Sequence, residues 1–260
     1  GTFLRASLLV KPTDWLDNTF IYDNVSIDTN GGGMELAHIR TGSVADQTFG
    51  TGLAPFFGGV TLQGAYAQQQ ALGENRTAVG VRTGEERHIW TAINTTNVDL
   101  GETAIGKLSL KNIVSYRHTD NYQARDFDGT VLPIVDNPEL NVYSAYITEE
   151  FQIRGQSFDD RLDWFLGYFM DNTDVQDPQK NKTSQILFGV PYFLSKSWPL
   201  NYYNVTDENS EAFFAQGSYA LTDALKLTLG ARHTKDERSV RNQSFVGPTQ
   251  ACAISNPEPG

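Results

Sequence analysis

Catalysis needs nucleophiles, acid–base pairs, metal ligands or phosphate cradles at workable spacing, and this chain offers few of them. Its four histidines, His38, His88, His118 and His233, follow no His-x-x-x-His spacing and have no Ser or Asp partner in a recognisable motif. The single cysteine, Cys252, can close no internal disulfide and build no thiolate zinc site. Glu149-Glu150 and Asp159-Asp160 are adjacent pairs, so they point to opposite strand faces or lie in a turn and form no general acid/base dyad. The glycine-rich run at 50–64 lacks the Gly-Lys-Ser/Thr ending of a phosphate loop. An enzyme is therefore not expected, nor a cofactor. One concentration of useful groups remains, in the acidic stretch 119–141, where Asp120, Asp126, Asp128, Asp136 and Glu139 outnumber Arg125. Hard oxygens of this kind suit calcium, but the EF-hand spacing is missing, so a solvated acidic loop without metal is the expectation.

The elements that would position these groups read as strands. The chain has 260 residues, 23 of them Gly and 2 Met, with 12% aromatic and 20% charged residues, a mix too aromatic for disorder and too poor in helix formers for a bundle. Its net charge of −11 argues against nucleic acid as a partner. No stretch approaches the ~18 consecutive apolar residues of a membrane helix, although barrel strands need only about 9–11 alternating residues. Period-2 runs at 3–11, 15–27, 87–100, 104–118, 142–154, 161–171, 211–221 and 225–235 pair into four hairpins. Short turns join each pair, near Pro12-Thr13-Asp14, Gly101-Glu102, the stretch 155–160, and Thr222-Asp223. The intervening stretches 28–86, 119–141 and 172–210 are long, and all fall at one end of the strands. A short helix is expected at 63–72, closed by Gly73. This one-sidedness predicts an all-β fold, an antiparallel transmembrane β-barrel segment with short periplasmic turns and long extracellular loops.

The faces agree with a lipid side and a wet side. Leu225, Leu227, Leu229 and Ala231 alternate with Lys226, Thr228, Gly230 and Arg232, and Leu108, Leu110 and Val114 alternate with Lys107, Ser109, Lys111 and Ser115. Asn112 and Glu149 fall on the predicted lipid face, where a carboxylate is costly unless it lies near an interface. The run 164–169 is apolar on both faces.

Ser210-Glu211-Ala212-Phe213-Phe214-Ala215-Gln216, then Tyr219-Ala220-Leu221-Thr222-Asp223, then Leu225-Lys226-Leu227-Thr228-Leu229-Gly230-Ala231-Arg232 resembles a barrel hairpin of the TonB-dependent outer-membrane receptors. Asp126-Phe127-Asp128-Gly129 and Leu162-Asp163-Trp164-Phe165-Leu166-Gly167-Tyr168-Phe169 are similar to the same family. The resemblance implies a section of a barrel of about 22 strands with a plugged lumen. It implies active uptake across the outer membrane of a Gram-negative bacterium, with a ferric siderophore as the default ligand and haem, cobalamin and oligosaccharides as competitors. Its partners would be outer-membrane lipid, the TonB complex and the plug domain. Residues 1–260 are then expected to be a partial barrel, with the plug, the TonB box and the terminal strands outside it. A self-contained eight-stranded outer-membrane barrel (pore, adhesin or lipid-modifying enzyme) and a soluble β-rich binding module remain the alternatives.

Under the same resemblance, ligand contacts are expected in the loops, at Phe56, Phe57 and Tyr66, at Tyr122, Arg125, Asp126 and Asp128, and at Tyr192, Phe193 and Trp198. The assigned lumen faces carry Arg5, Lys11, Lys107, Lys111, Arg117, Arg154, Lys226 and Arg232 against fewer carboxylates, among them Asp17, Glu150 and Asp236. A locally basic lumen that holds acidic plug residues or an anionic ligand is one expectation, and cross-strand ion pairing within the wall is the other.

Overall fold

Alternating side chains let one antiparallel sheet present an apolar face and a polar face, and the chain uses that device throughout. The structure is a computed structural model that describes residues 1–52, 54–177, 181–183 and 200–246. Eight long strands form four hairpins: β1 (Thr2–Thr13) with β2 (Leu16–Thr29), β3 (Gly84–Thr103) with β4 (Gly106–Asp126), β5 (Asp136–Ser157) with β6 (Leu162–Asp177), and β8 (Leu200–Thr222) with β9 (Leu225–Val246). Sequence neighbours lie side by side, and the three-residue β7 (Asn181–Thr183) pairs with the start of β8 beyond the part that β6 covers. β1 and β9 each keep one edge unpaired among the described residues, so the sheet is open.

The short turns do lie at one margin, shifted from their expected places. The first reverses at Asp14-Trp15, the second at Ala104-Ile105 and the fourth at Asp223-Ala224. Gly101, expected to turn the chain, instead sits at a register shift in β3 with φ of 70°. The third turn holds Phe158, Asp159 and Asp160 in the left-handed region at φ of 57°, 54° and 64°.

At the opposite margin the strands outrun expectation. β3 has 20 residues, β4 21, β5 22, β8 23 and β9 22, about twice the 9–11 that cross a bilayer. The stretch 119–141 is therefore mostly strand, and only residues 127–135 form the connection between β4 and β5. Likewise, β9 continues to Val246, beyond the run 225–235 expected from the alternation. Above a membrane both faces of a strand are wet, so the alternation that reveals a strand in sequence fades while the ladder of backbone hydrogen bonds continues.

One face carries Leu4, Leu8, Leu108, Leu110, Ile153, Leu166, Phe213, Leu225, Leu227 and Leu229, with Phe213 64% and Leu229 69% exposed. On this outward face the two suspect polar residues meet, because Asn112 Nδ2 donates to Glu149 Oε1 at 3.0 Å. Nearby, Asn18 and Asn94 exchange side-chain hydrogen bonds of 2.9 and 3.0 Å, and Asn18 also donates to Thr96. The polar atoms in the apolar band thus partner one another. The aromatic run in β6 has partners on both faces: Tyr168 contacts Phe213 outside, and Phe165 contacts Phe214 inside at 5.9 Å.

Candidate functional site

Two places gather functional groups, the loop cap at the long-strand margin and the floor of the polar face. The cap has its own core. Ile39, Phe49, Leu62, Ala65, Leu132 and Ile134 are buried together, with Phe49 fully so, and Phe57 and Tyr66 pack against them. Each large apolar side chain so buried contributes ~1.5–3 kcal/mol, which suffices to join two connections that no backbone ladder links. The expected helix is present as α2 (Leu62–Ala71), capped by Thr61 accepting from Gly64 N at 3.0 Å and followed by Gly73 at φ of 81°. The shorter α1 (Val44–Gln47) is capped by Ser43. Gly129 makes the close approach between the two connections: its φ is 67°, and a Cβ there would lie 2.8 Å from Leu36 N.

The acidic stretch is not solvated as expected. Asp126 is 1% and Asp136 4% exposed, and one carboxylate oxygen from each of Asp126, Asp128 and Asp136 lies within 4.8 Å of the others. Asp126 accepts hydrogen bonds from the backbone N–H groups of Gly80, Asp128 and Gly129 at 2.7, 3.1 and 2.7 Å. Asp128 accepts from Thr130, Ile134 and Val135 backbone N–H groups at 3.0, 3.2 and 2.9 Å, and from the Thr130 hydroxyl. The Asp136 Oδ1 is buried with no partner. Burial pushes Asp128 up to about 6 and Asp136 up to about 7, and in Asp136 the neighbouring Asp128 and Asp126 add to it. The solvated-loop expectation failed because residues 127–135 fold back over the carboxylates.

On the polar face, a basin of about 950 Å³ opens at the short-turn end. Its lining holds the carboxylates of Asp14, Asp17, Asp99, Glu102 and Asp163 and the cations Lys107, Lys111 and Arg154. Lys107 pairs with Asp160 at 3.1 Å, Lys226 with Asp163 at 2.7 Å, and Arg5 with Asp23 at 3.6 Å. Arg154 donates to Gln152, while Arg232 lies 5.6 Å from the ring centroids of both Phe169 and Phe214. Lys111 and Arg117 make no hydrogen bond or ion pair among the described residues.

Comparison with solved structures shows where such a sheet is found. The ferric yersiniabactin uptake receptor FyuA from Yersinia pestis superposes with a TM-score of 0.56 at 11% identity, over 94% of this chain and 33% of that one. This shows the fold, and the chain spans about a third of that receptor's length. The family model described as "TonB dependent receptor-like, beta-barrel" matches residues 18–254. The chain belongs to that family. No curated protein sequence matches it. Barrels of the TonB-dependent receptor family reside in the outer membrane.

In this TonB-dependent receptor barrel the sequence-predicted contacts divide into groups. Phe57 and Tyr66 belong to the cap core, with the Tyr66 hydroxyl donating to Ala37 O at 3.2 Å. Phe56 lies in the 3-10 turn Ala54–Phe57. Tyr122 and Arg125 are exposed on β4, and the Tyr122 hydroxyl donates to Pro138 O at 3.3 Å. Asp126 and Asp128 come together, joined by Asp136, which was noted only as part of an acidic stretch. Tyr192, Phe193 and Trp198 lie outside the described residues. The signal that could have found Asp136 is its placement ten residues after Asp126, at the far side of a β connection.

Proposed function

We propose that the chain is a section of the wall of an outer-membrane active transporter of a Gram-negative bacterium, which captures a scarce nutrient and imports it with energy transduced by TonB. A ferric siderophore is the cargo class. The observation that carries this reading is the family match over residues 18–254. FyuA, named as a ferric yersiniabactin uptake receptor, supports the cargo class. In this reading the extracellular cap captures ligand, lipid covers the outward face, and a plug domain fills the lumen and relays to the TonB complex. The plug, the TonB box and the remaining strands belong to the rest of the receptor. The unpaired edges of β1 and β9 support a larger wall over a self-contained eight-stranded barrel. The exposed row of Phe213, Leu225 and Leu229 supports a lipid-facing wall over a soluble module.

The test is growth under iron limitation on a panel of ferric siderophores, with the gene deleted and separately with TonB inactivated. Loss of growth on one siderophore in both strains is expected. Growth on every siderophore unaffected by the deletion would overturn the cargo class, and uptake independent of TonB would overturn the energised mechanism.

A further inference from the structure

The carboxylates of Asp126 and Asp128 are held in place by six backbone N–H groups, five from residues 127–135 and one, that of Gly80, from the long connection that follows β2. Hydrogen bonds of that number explain why two carboxylates tolerate burial, and they also fix the direction of the oxygens. They do not explain Asp136. Its side chain is 4% exposed, its Oδ1 has no partner, and it faces two further carboxylates across less than 4.8 Å. Among the described residues no Lys, Arg or His forms an ion pair with any of the three. A buried ionised carboxylate with neither donor nor counter-charge is expensive, and a bound cation is a group that would offset that cost for all three carboxylates at once.

We propose that Asp126, Asp128 and Asp136 bind a divalent cation with hard-oxygen preference, calcium in particular, at the extracellular end of the β4–β5 hairpin. The donor set is all oxygen, with no His or Cys in the group, which selects against zinc and copper. Calcium takes its oxygens at about 2.3–2.6 Å, so ligands around one ion stand roughly 3–5 Å apart, the spacing these three present. The Leu132 carbonyl approaches the same spot, since an ideal Cβ on Gly80 would lie 3.2 Å from both Leu132 O and Asp136 Oδ2. Water would complete a coordination shell of the usual size. Because Gly80 donates to Asp126, the ion would tie the first long connection to the second and clamp the cap from above the membrane. This assignment stands on the carboxylate geometry alone and is independent of which cargo the receptor carries.

The experiment uses the native protein in detergent, stripped with a chelator and titrated calorimetrically with calcium chloride, with limited proteolysis of residues 30–83 as a second readout. One calcium per chain is expected, together with at least tenfold slower cleavage in that segment. Asp136→Asn is expected to keep the fold, since it removes an uncompensated charge, and to weaken calcium binding at least tenfold. Asp120→Asn, which alters the carboxylate paired with His118 at 2.8 Å, serves as the control and is expected to bind calcium as the unaltered protein does. Magnesium, which demands shorter octahedral bonds, is expected to protect at least tenfold less at equal concentration. No calcium binding by the unaltered protein, or undiminished binding by Asp136→Asn, would overturn the proposal. Tighter binding of zinc than of calcium would overturn it too.

Discussion

At the residue scale, a carboxyl group sealed beside two others is stable when it is neutral or when a cation neutralises it. With the ion stripped away, Asp128 titrates near 6 and Asp136 near 7, whereas both titrate near 3.8 when the chain is unfolded. The unfolded state therefore releases these protons first. The stabilisation from the neutral forms is complete below about pH 4 and is lost as pH rises through 6 and 7. In chelator, residues 127–135 are expected to open more readily at pH 8 than at pH 5, measured by hydrogen exchange corrected for intrinsic rates. A second residue-scale conflict sits on the lipid side. Asn112→Ala leaves Glu149 without its donor and is expected to lower stability by ~1–3 kcal/mol, whereas Asn112→Leu combined with Glu149→Leu is expected to be neutral or stabilising. Denaturant unfolding in detergent separates the two outcomes. The sequence flagged Asn112 and Glu149 as misfits because alternation marks faces. It could not reveal their bond, which depends on the register of β4 against β5.

At the scale of elements, the glycine at the junction of the two connections is the sensitive point. Gly129→Ala forces a side chain into left-handed backbone and against Leu36 N, so it is expected to cost ~1–3 kcal/mol in the cap. Faster proteolysis within residues 30–83, with the barrel's unfolding midpoint unchanged, is the expected readout. The hairpins were legible because lipid on one side and water on the other impose a strict period of two. β4 and β8 beyond the bilayer were not, since residues such as Thr119, Asp120, Asn121 and Tyr122 are wet on both faces and carry no such period. The cap core was illegible for another reason. Phe49, Leu62 and Leu132 are far apart in sequence, and α2 is too short and too rich in Gln and Ala to show a helical stripe.

At the scale of the whole molecule, the lumen wall balances part of its own charge. Lys107 and Lys226 are paired within the wall with Asp160 and Asp163 and Arg5 with Asp23, while Lys111 and Arg117 are among the cations with no such partner among the described residues. Reversing only these two, Lys111→Glu with Arg117→Glu, is expected to reduce uptake of an anionic ligand about tenfold or more through lost attraction in a confined, weakly screened space. Transport of a neutral ligand by the same variant is the control, and equal effects on both would assign the loss to a damaged barrel instead. The basic lumen inferred from sequence counted residues on a face, and the pairing that neutralises Arg5, Lys107 and Lys226 runs between strands and turns that only the register brings together.

The bare margins of β1 and β9 have a further consequence for handling the chain by itself. Each offers a row of unsatisfied N–H and C=O groups, and the two rows lie on opposite sides of the sheet. Copies that dock margin to margin repeat a head-to-tail contact, which closes into a ring only if the curvature happens to match and otherwise grows without limit. Both margins are unpaired among the described residues, so the chain produced by itself is expected to self-associate through them, as rings or as filaments, which sedimentation and electron microscopy distinguish.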